Sequence, residues 1–262
     1  MNRTVFITGA TSGIGQSCAA RFGANGDRLV LAGRREDRLK RLQGELGGPD
    51  QVHVCQLDIR DRQAVFEAVL NLPAGFQDID ILVNNAGVAQ GTESVDKGSL
   101  DDWEVMVDTN IKGLLACTRA ILPRMVERDQ GHVVNIGSVA ASWPFPKSHV
   151  YGASKAFVHQ FSRSIRTDLM GSHVRVTTIE PGLARTEFAE VRSRGDVEAA
   201  RAGAGAIDCA ISPLSGFSSQ PPVETMATIF SETEYAVKLD FDALTEIASY
   251  FTKLSPKMKP TH

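Results

Sequence analysis

Four cysteines, Cys18, Cys55, Cys117 and Cys209, are scattered along 262 residues without a C-x-x-C pair, which argues against a disulfide framework or a thiolate metal site. The six histidines show no paired ligand spacing, so no metal role is expected. A surplus of cations is lacking too. The 28 lysines and arginines face 31 acids, a net charge of -3, which leaves nothing over to neutralise a phosphate backbone or an anionic bilayer. Nucleic acid and membrane are therefore not expected as partners. No apolar run approaches the ~20 residues that span a bilayer. Met1-Asn2-Arg3 leads straight into an apolar strand without a secretory leader pattern, so the cytoplasm is the expected compartment. The one concentration of positive charge, Arg34, Arg35, Arg38, Lys40 and Arg41, is mixed with Glu36 and Asp37, as solvated helix faces are.

Hydrophobic periodicity is the strongest positive signal. Short β-branched runs at 4–8, 28–32, 52–57, 79–83, 133–136 and 174–179 alternate with amphipathic segments near 14–25, 36–46, 61–71, 99–127 and 148–170. Strand, helix, strand repetition at this spacing implies right-handed crossovers onto one parallel sheet, hence a single α/β domain of the doubly wound, Rossmann type. Residues 1–190 form its core. Residues 191–262 are expected to add a substrate loop and an atypical C-terminal segment, rich in Gly, Ser and Pro around 201–222. Alternation over 235–241 and helical spacing over 244–254 suggest a late edge strand and a terminal helix.

Ligands of such sheets bind beyond the carboxyl ends of the strands. After the first strand stands Thr8-Gly9-Ala10-Thr11-Ser12-Gly13-Ile14-Gly15, small residues where backbone turns tightly and a helix N-terminus can meet a pyrophosphate. An ordinary strand-to-helix turn is the alternative. After the second strand, about 20 residues further on, an NAD site carries an acid for the ribose 2′-hydroxyl. Here Gly33-Arg34-Arg35 replaces it with two guanidinium groups, whose charge and fork geometry suit a 2′-phosphate. NADP is thereby favoured, with a solvated helix start as the competing reading.

Asn84-Asn85-Ala86-Gly87 follows the fourth strand, Asn110 lies in Thr109-Asn110-Ile111-Lys112-Gly113, Ser138 closes the fifth strand, and Tyr151-Gly-Ala-Ser-Lys155 opens a helix. Tyr151 and Lys155 are at i and i+4, on one helix face, so an ammonium can stand near a phenol. A free phenol with a pKa of ~10 is a poor base at neutral pH, and a neighbouring cation favours its phenolate. Ser138 is suited to donate a hydrogen bond to a substrate oxygen where charge develops, and Asn110 to hold a water between Lys155 and solvent.

Together with Pro181-Gly182 after the sixth strand, these motifs resemble the short-chain dehydrogenase/reductase family, with Ser138 and Tyr151 standing 13 apart as its pattern requires. The resemblance implies that Asn110, Ser138, Tyr151 and Lys155 are the catalytic tetrad. It implies cofactor contacts at Gly9, Ser12, Gly13, Ile14, Gly15, Asp58, Ile59, Asn85 and Gly87, with Tyr151 and Lys155 at the nicotinamide ribose. Pro181-Gly-Leu-Ala-Arg-Thr186 matches P-G-x-x-x-T, which puts Thr186 or Ile179 near the carboxamide. Transfer from the 4-pro-S position and a homo-oligomer, tetramer or dimer, are implied as well.

Gly33-Arg-Arg-Glu-Asp-Arg-Leu39, Asp78-Ile-Asp-Ile-Leu-Val-Asn-Asn-Ala-Gly87, Asp102-Trp-Glu104, Ile179-Glu-Pro-Gly-Leu183 and Thr186-Glu-Phe188 are similar to the NADP-dependent 3-hydroxy acid dehydrogenases, which act on serine and related acids and reduce malonic semialdehyde. A carboxylate substrate needs a cation, and Arg185 or Arg192 is suited by charge and position. Trp143, Phe145 and His149 are candidate pocket walls. The resemblance stops near residue 196, and the subgroup's closing strand is not found beyond residue 200. Two other readings stay open: a reductase of another carbonyl, such as a quinone, steroid or acyl ketone, and a non-catalytic NADP-binding protein.

Overall fold

Apolar runs bounded by turn residues become strands, and the amphipathic stretches between them become helices. The computed structural model describes residues 3–144, 146–182 and 187–192. Among these the order is β1 (Thr4–Thr8), α1 (Gly13–Ala24), β2 (Arg28–Gly33), α2 (Glu36–Glu45), β3 (Val52–Gln56), α3 (Arg62–Leu70), β4 (Ile81–Asn84), α4 (Leu100–Val107), α5 (Leu114–Glu127), β5 (Gly131–Ile136), α6 (His149–Asp168), β6 (Val174–Ile179) and α7 (Glu187–Arg192). All strand pairs are parallel, in the order β3-β2-β1-β4-β5-β6. This is the doubly wound sheet that the alternation predicts, with the order reversing between β1 and β4. The expected loop after Arg192 and the strand and helix expected over 235–254 lie outside the described residues, so β6 is the sheet edge among those described. No helix there is long and apolar enough to cross a membrane.

Strand side chains alternate between two cores. Phe6, Val30, Leu82 and Val133 face Val65 and Val69 of α3, Ile121 and Met125 of α5 and Ile165 of α6. Val5, Ile7, Leu29, Leu31 and Val83 face Ala19 of α1 and Leu39 and Leu42 of α2. Burial on both faces explains why these strands read as continuous apolar runs.

The helix expected over 99–127 is present without a gap, and it carries a π-helical turn at Asp108–Gly113 between α4 and α5. Asn110 accounts for it: its side chain leaves the helix surface to accept from Val88 N at 2.8 Å and donate to Val88 O at 2.9 Å, pinning the segment after β4. Gly113 meets the core closely, since a Cβ there would lie 2.6 Å from Ile59 Cδ1. Such single wide turns recur near functional sites.

A buried polar chain ties β4, β5 and α6 together. Asn84 donates to Asn135 Oδ1 at 2.9 Å, Asn135 donates to Ser162 Oγ at 2.8 Å, and Ser162 donates to Val158 O at 2.7 Å. Truncating its centre removes two buried hydrogen bonds, while Asn84 keeps Thr118 and Ser162 keeps Val158 as partners. Asn135→Ala is expected to cost about 1–3 kcal/mol, read as a lowered urea midpoint at unchanged slope.

Candidate active site

A cleft of about 360 Å³ opens at the carboxyl ends of the strands, where the strand order reverses. Its floor is the turn after β1, which needs glycine. Gly9 and Gly13 hold φ of 64° and 53°, values that disfavour a side chain. At Gly15 a Cβ would fall 2.4 Å from both Gly9 O and Asn85 Nδ2. Asn85 staples this turn to the end of β4, donating to Thr8 O at 2.9 Å and Gly9 O at 3.0 Å. The Thr8 hydroxyl accepts from the backbone N–H of Asn85 and Ala86, each at 3.0 Å. Gly9, Ser12, Gly13, Ile14, Asn85 and Gly87 line the cleft, and Gly15 lies just behind.

At the end of β2 both Arg34 and Arg35 reach the cleft wall. Arg35 is fixed: Nε and Nη2 donate to Thr11 Oγ1 at 3.1 and 2.9 Å, and Nη1 donates to Glu187 Oε2 at 2.9 Å. Arg38 joins it, donating to Glu187 Oε1 at 2.6 Å. The two guanidinium groups hold the Glu187 carboxyl below its ordinary range. Arg34 and Arg35 are the cations expected here from the sequence, and Arg38 joins them because it lies one turn along α2 from Arg35. Asp58 and Ile59, just after β3, line the same cleft. Arg60 bonds both Asp58 oxygens, the nearer at 2.6 Å, and lowers that carboxyl's pKa.

Ser138, Tyr151 and Lys155 converge at the other end of the same cleft. Ser138 follows β5 in extended backbone, and its hydroxyl accepts from Ala140 N at 3.2 Å. Tyr151 and Lys155 project from the first turns of α6, with the Lys155 ammonium 5.9 Å from the centre of the tyrosine ring. Lys155 is buried, donates to Ile136 O at 2.8 Å, and its pKa is lowered to about 8 by desolvation. Gly87 makes room for it, because a Cβ there would sit 3.3 Å from Lys155 Nζ and from Asn110 Oδ1. Asn110 itself lies behind the lining, its amide donating to Val88 O and, at 2.9 Å, to the Ser154 hydroxyl.

The phenol stands under opposing influences in the cofactor-free protein. Burial raises the Tyr151 pKa, while a hydrogen bond with Ser138 and the charge of Arg192 pull it down without prevailing. Desolvation thus keeps Tyr151 protonated in the protein alone, and it stands as an acid before it can serve as a base.

Of the two candidate substrate arginines, Arg192 closes α7, donates to Lys147 O at 3.1 Å and exerts its charge on Tyr151. Arg185 lies outside the described residues, as do Thr186 and Phe145. Phe188, which sequence reading did not assign, packs its ring 5.5 Å from that of Tyr151. His149 meets Trp103 edge-on at 5.2 Å, and Trp143 is exposed; neither lines the cleft as described. No group of three or more His, Cys, Asp or Glu among the described residues could hold a metal.

Comparison with known proteins places this arrangement. The family model described as short chain dehydrogenase matches residues 3–196. The chain is 55% identical over 197 residues to the NADP-dependent 3-hydroxy acid dehydrogenase YdfG of Salmonella typhi, covering 75% of this chain and 79% of that one. It is 51% identical over 203 residues to the sulfoacetaldehyde reductase of Chromohalobacter salexigens, covering 77% and 80%. Among solved structures, the closed form of serine dehydrogenase complexed with NADP+ superposes with a TM-score of 0.75 at 43% identity, covering 90% of this chain and 99% of that one. A glycine turn, an arginine pair and a Ser, Tyr and Lys cluster facing one cleft, with a family match over three quarters of the chain, place this protein in the short-chain dehydrogenase family.

Proposed function

We propose that the protein is an NADP-dependent oxidoreductase that interconverts a small 3-hydroxy acid, such as serine or 3-hydroxypropionate, and its carbonyl form. The carrying observation is that Arg35 and Arg38 grip an anion at one end of the cleft that holds Ser138, Tyr151 and Lys155 at the other. NADP fits the residues present. The arginine pair already holds a carboxylate, and the close-packed Gly9 to Gly15 turn leaves backbone for a pyrophosphate to approach. When bound, the cofactor supplies or accepts the hydride.

The chain's own residues handle the proton and the geometry. Tyr151 donates its phenolic proton to the carbonyl oxygen in reduction and takes the alcohol proton in oxidation. Burial keeps the phenol in its donor form in the cofactor-free protein. Ser138 hydrogen-bonds the same oxygen, and Lys155 holds the ribose hydroxyls and stands by to stabilise the phenolate. Asn110, through its bonds to Val88 and Ser154, sets the shape of the wall beside Lys155. Arg192 is the cation for the substrate carboxylate. Relatives named for a hydroxy acid and for a sulfonated aldehyde both point to an anionic end on the substrate. The same reading takes the protein as a cytoplasmic homo-oligomer, dimer or tetramer.

Nicotinamide absorbance at 340 nm with L-serine, 3-hydroxypropionate, cyclohexanol and a steroid alcohol tests the assignment. Turnover of the acids with NADP and little with NAD is expected, whereas activity on neutral alcohols alone would overturn the carboxylate reading. Tyr151→Phe should lower kcat by roughly 10²- to 10⁴-fold. Arg192→Ala should raise KM for the acids by about 10-fold or more and leave neutral alcohols unchanged.

Lys155 adds a pH signature. Its folded pKa of about 8 lies below the ordinary 10.5, so protonation is penalised in the folded state and stability is lost as pH falls through that window. Between pH 7 and pH 10, chemical denaturation of the cofactor-free protein should show wild type gaining about 2 kcal/mol relative to Lys155→Met.

A further inference from the structure

Glu187 has no part in the proton and hydride chemistry, yet its carboxylate occupies an anion site in the cleft wall. Its two oxygens accept from Arg35 Nη1 at 2.9 Å and Arg38 Nη1 at 2.6 Å. Thr11 anchors the other edge of Arg35, so the fork is held ready rather than free to follow its partner. A carboxylate in this position stands in for the oxygens of a phosphate, since both accept charge-assisted bonds from guanidinium groups. A 2′-phosphate needs the same donors, and two anions within a few ångströms of each other repel. A neutral 2′-hydroxyl cannot replace the carboxylate and leaves it in place.

The second observation is where Glu187 sits. It opens α7, the same six-residue helix that carries Phe188 against Tyr151 and ends at Arg192. The residue that grips the arginines is therefore bonded directly to the one that touches the catalytic phenol.

We propose that Glu187 is an internal counter-ion which the 2′-phosphate displaces from Arg35 and Arg38, that Arg38 is a specificity-determining cation for NADP over NAD, and that the exchange is transmitted through Phe188 to Tyr151. This rests on the NADP reading above. Both ion pairs are partly exposed, with side-chain exposures between 33% and 42%, and such pairs are weak enough for a dianion to replace.

Calorimetry on the full chain with adenosine 2′,5′-bisphosphate and with 5′-AMP separates the phosphate from the rest of the cofactor. Glu187→Gln should tighten the bisphosphate roughly 2- to 10-fold and leave 5′-AMP unchanged. Arg38→Met should weaken the bisphosphate by about 10-fold or more with 5′-AMP again unaffected. Hydrogen exchange of the 187–192 peptide should rise with the bisphosphate in wild type, and not with 5′-AMP. Equal or weaker bisphosphate binding by Glu187→Gln overturns the displacement, and so does unchanged exchange in wild type at saturation. Full affinity in Arg38→Met, with native circular dichroism, overturns the role of that residue. If neither wild type nor Glu187→Gln prefers the bisphosphate to 5′-AMP, the NADP reading itself fails and this proposal with it.

Discussion

Both faces of the central sheet are covered by helices, and this closes every route for polar chemistry except the strand ends. The consequence runs through the whole molecule. Thr8, Asn84 and Asn85 come into play where β1 and β4 stop, Arg34 and Arg35 where β2 stops, Asp58 after β3 and Ser138 after β5. Parallel strands carry all these ends to one side, and the reversal of order between β1 and β4 splits the covering helices to leave a crevice. Glycine then decides how close backbone can come. Gly9 and Gly13 take conformations that disfavour a side chain, and Gly15 and Gly87 occupy places where a single carbon would collide with Asn85 or crowd Lys155.

Within the crevice, electrostatics divides the labour. Toward β2 the guanidinium groups remain partly exposed and paired, so they exchange partners at modest cost. Toward α6 the groups are desolvated, and burial rather than pairing dominates: it lowers Lys155 toward neutrality and keeps the Tyr151 phenol protonated. The helix α7 touches both regions, with Glu187 on the arginines and Phe188 on the tyrosine.

Much of this was legible without coordinates. Strand and helix positions follow from apolar runs and period, because a strand buried on two faces must be apolar throughout and a helix buried on one must be amphipathic. The glycine turn, Ser138, Tyr151 and Lys155 were legible because each sits at a fixed offset from a strand end or on one helix face, whereas Asn85 and Gly87 followed from the family resemblance. Arg38 was visible only as one charge among several in a mixed helix start. The bonds of the Asn110 side chain to the backbone after β4 and to Ser154 join segments far apart in the chain and were not legible.

The chain by itself determined the alternation of elements, the doubly wound sheet, the absence of a carboxylate after β2 and the spacing of the Ser, Tyr and Lys cluster, since all of these depend on local pattern and on short offsets. Tertiary structure alone decided the π-helical turn at Asp108–Gly113, the pairing of Glu187 with Arg35 and Arg38, and the direction in which Tyr151 and Lys155 titrate. The physical reason is common to the three. Each depends on what burial removes from water and on which distant segment is brought alongside, as when residue 187 meets residue 35, and no local pattern carries that information.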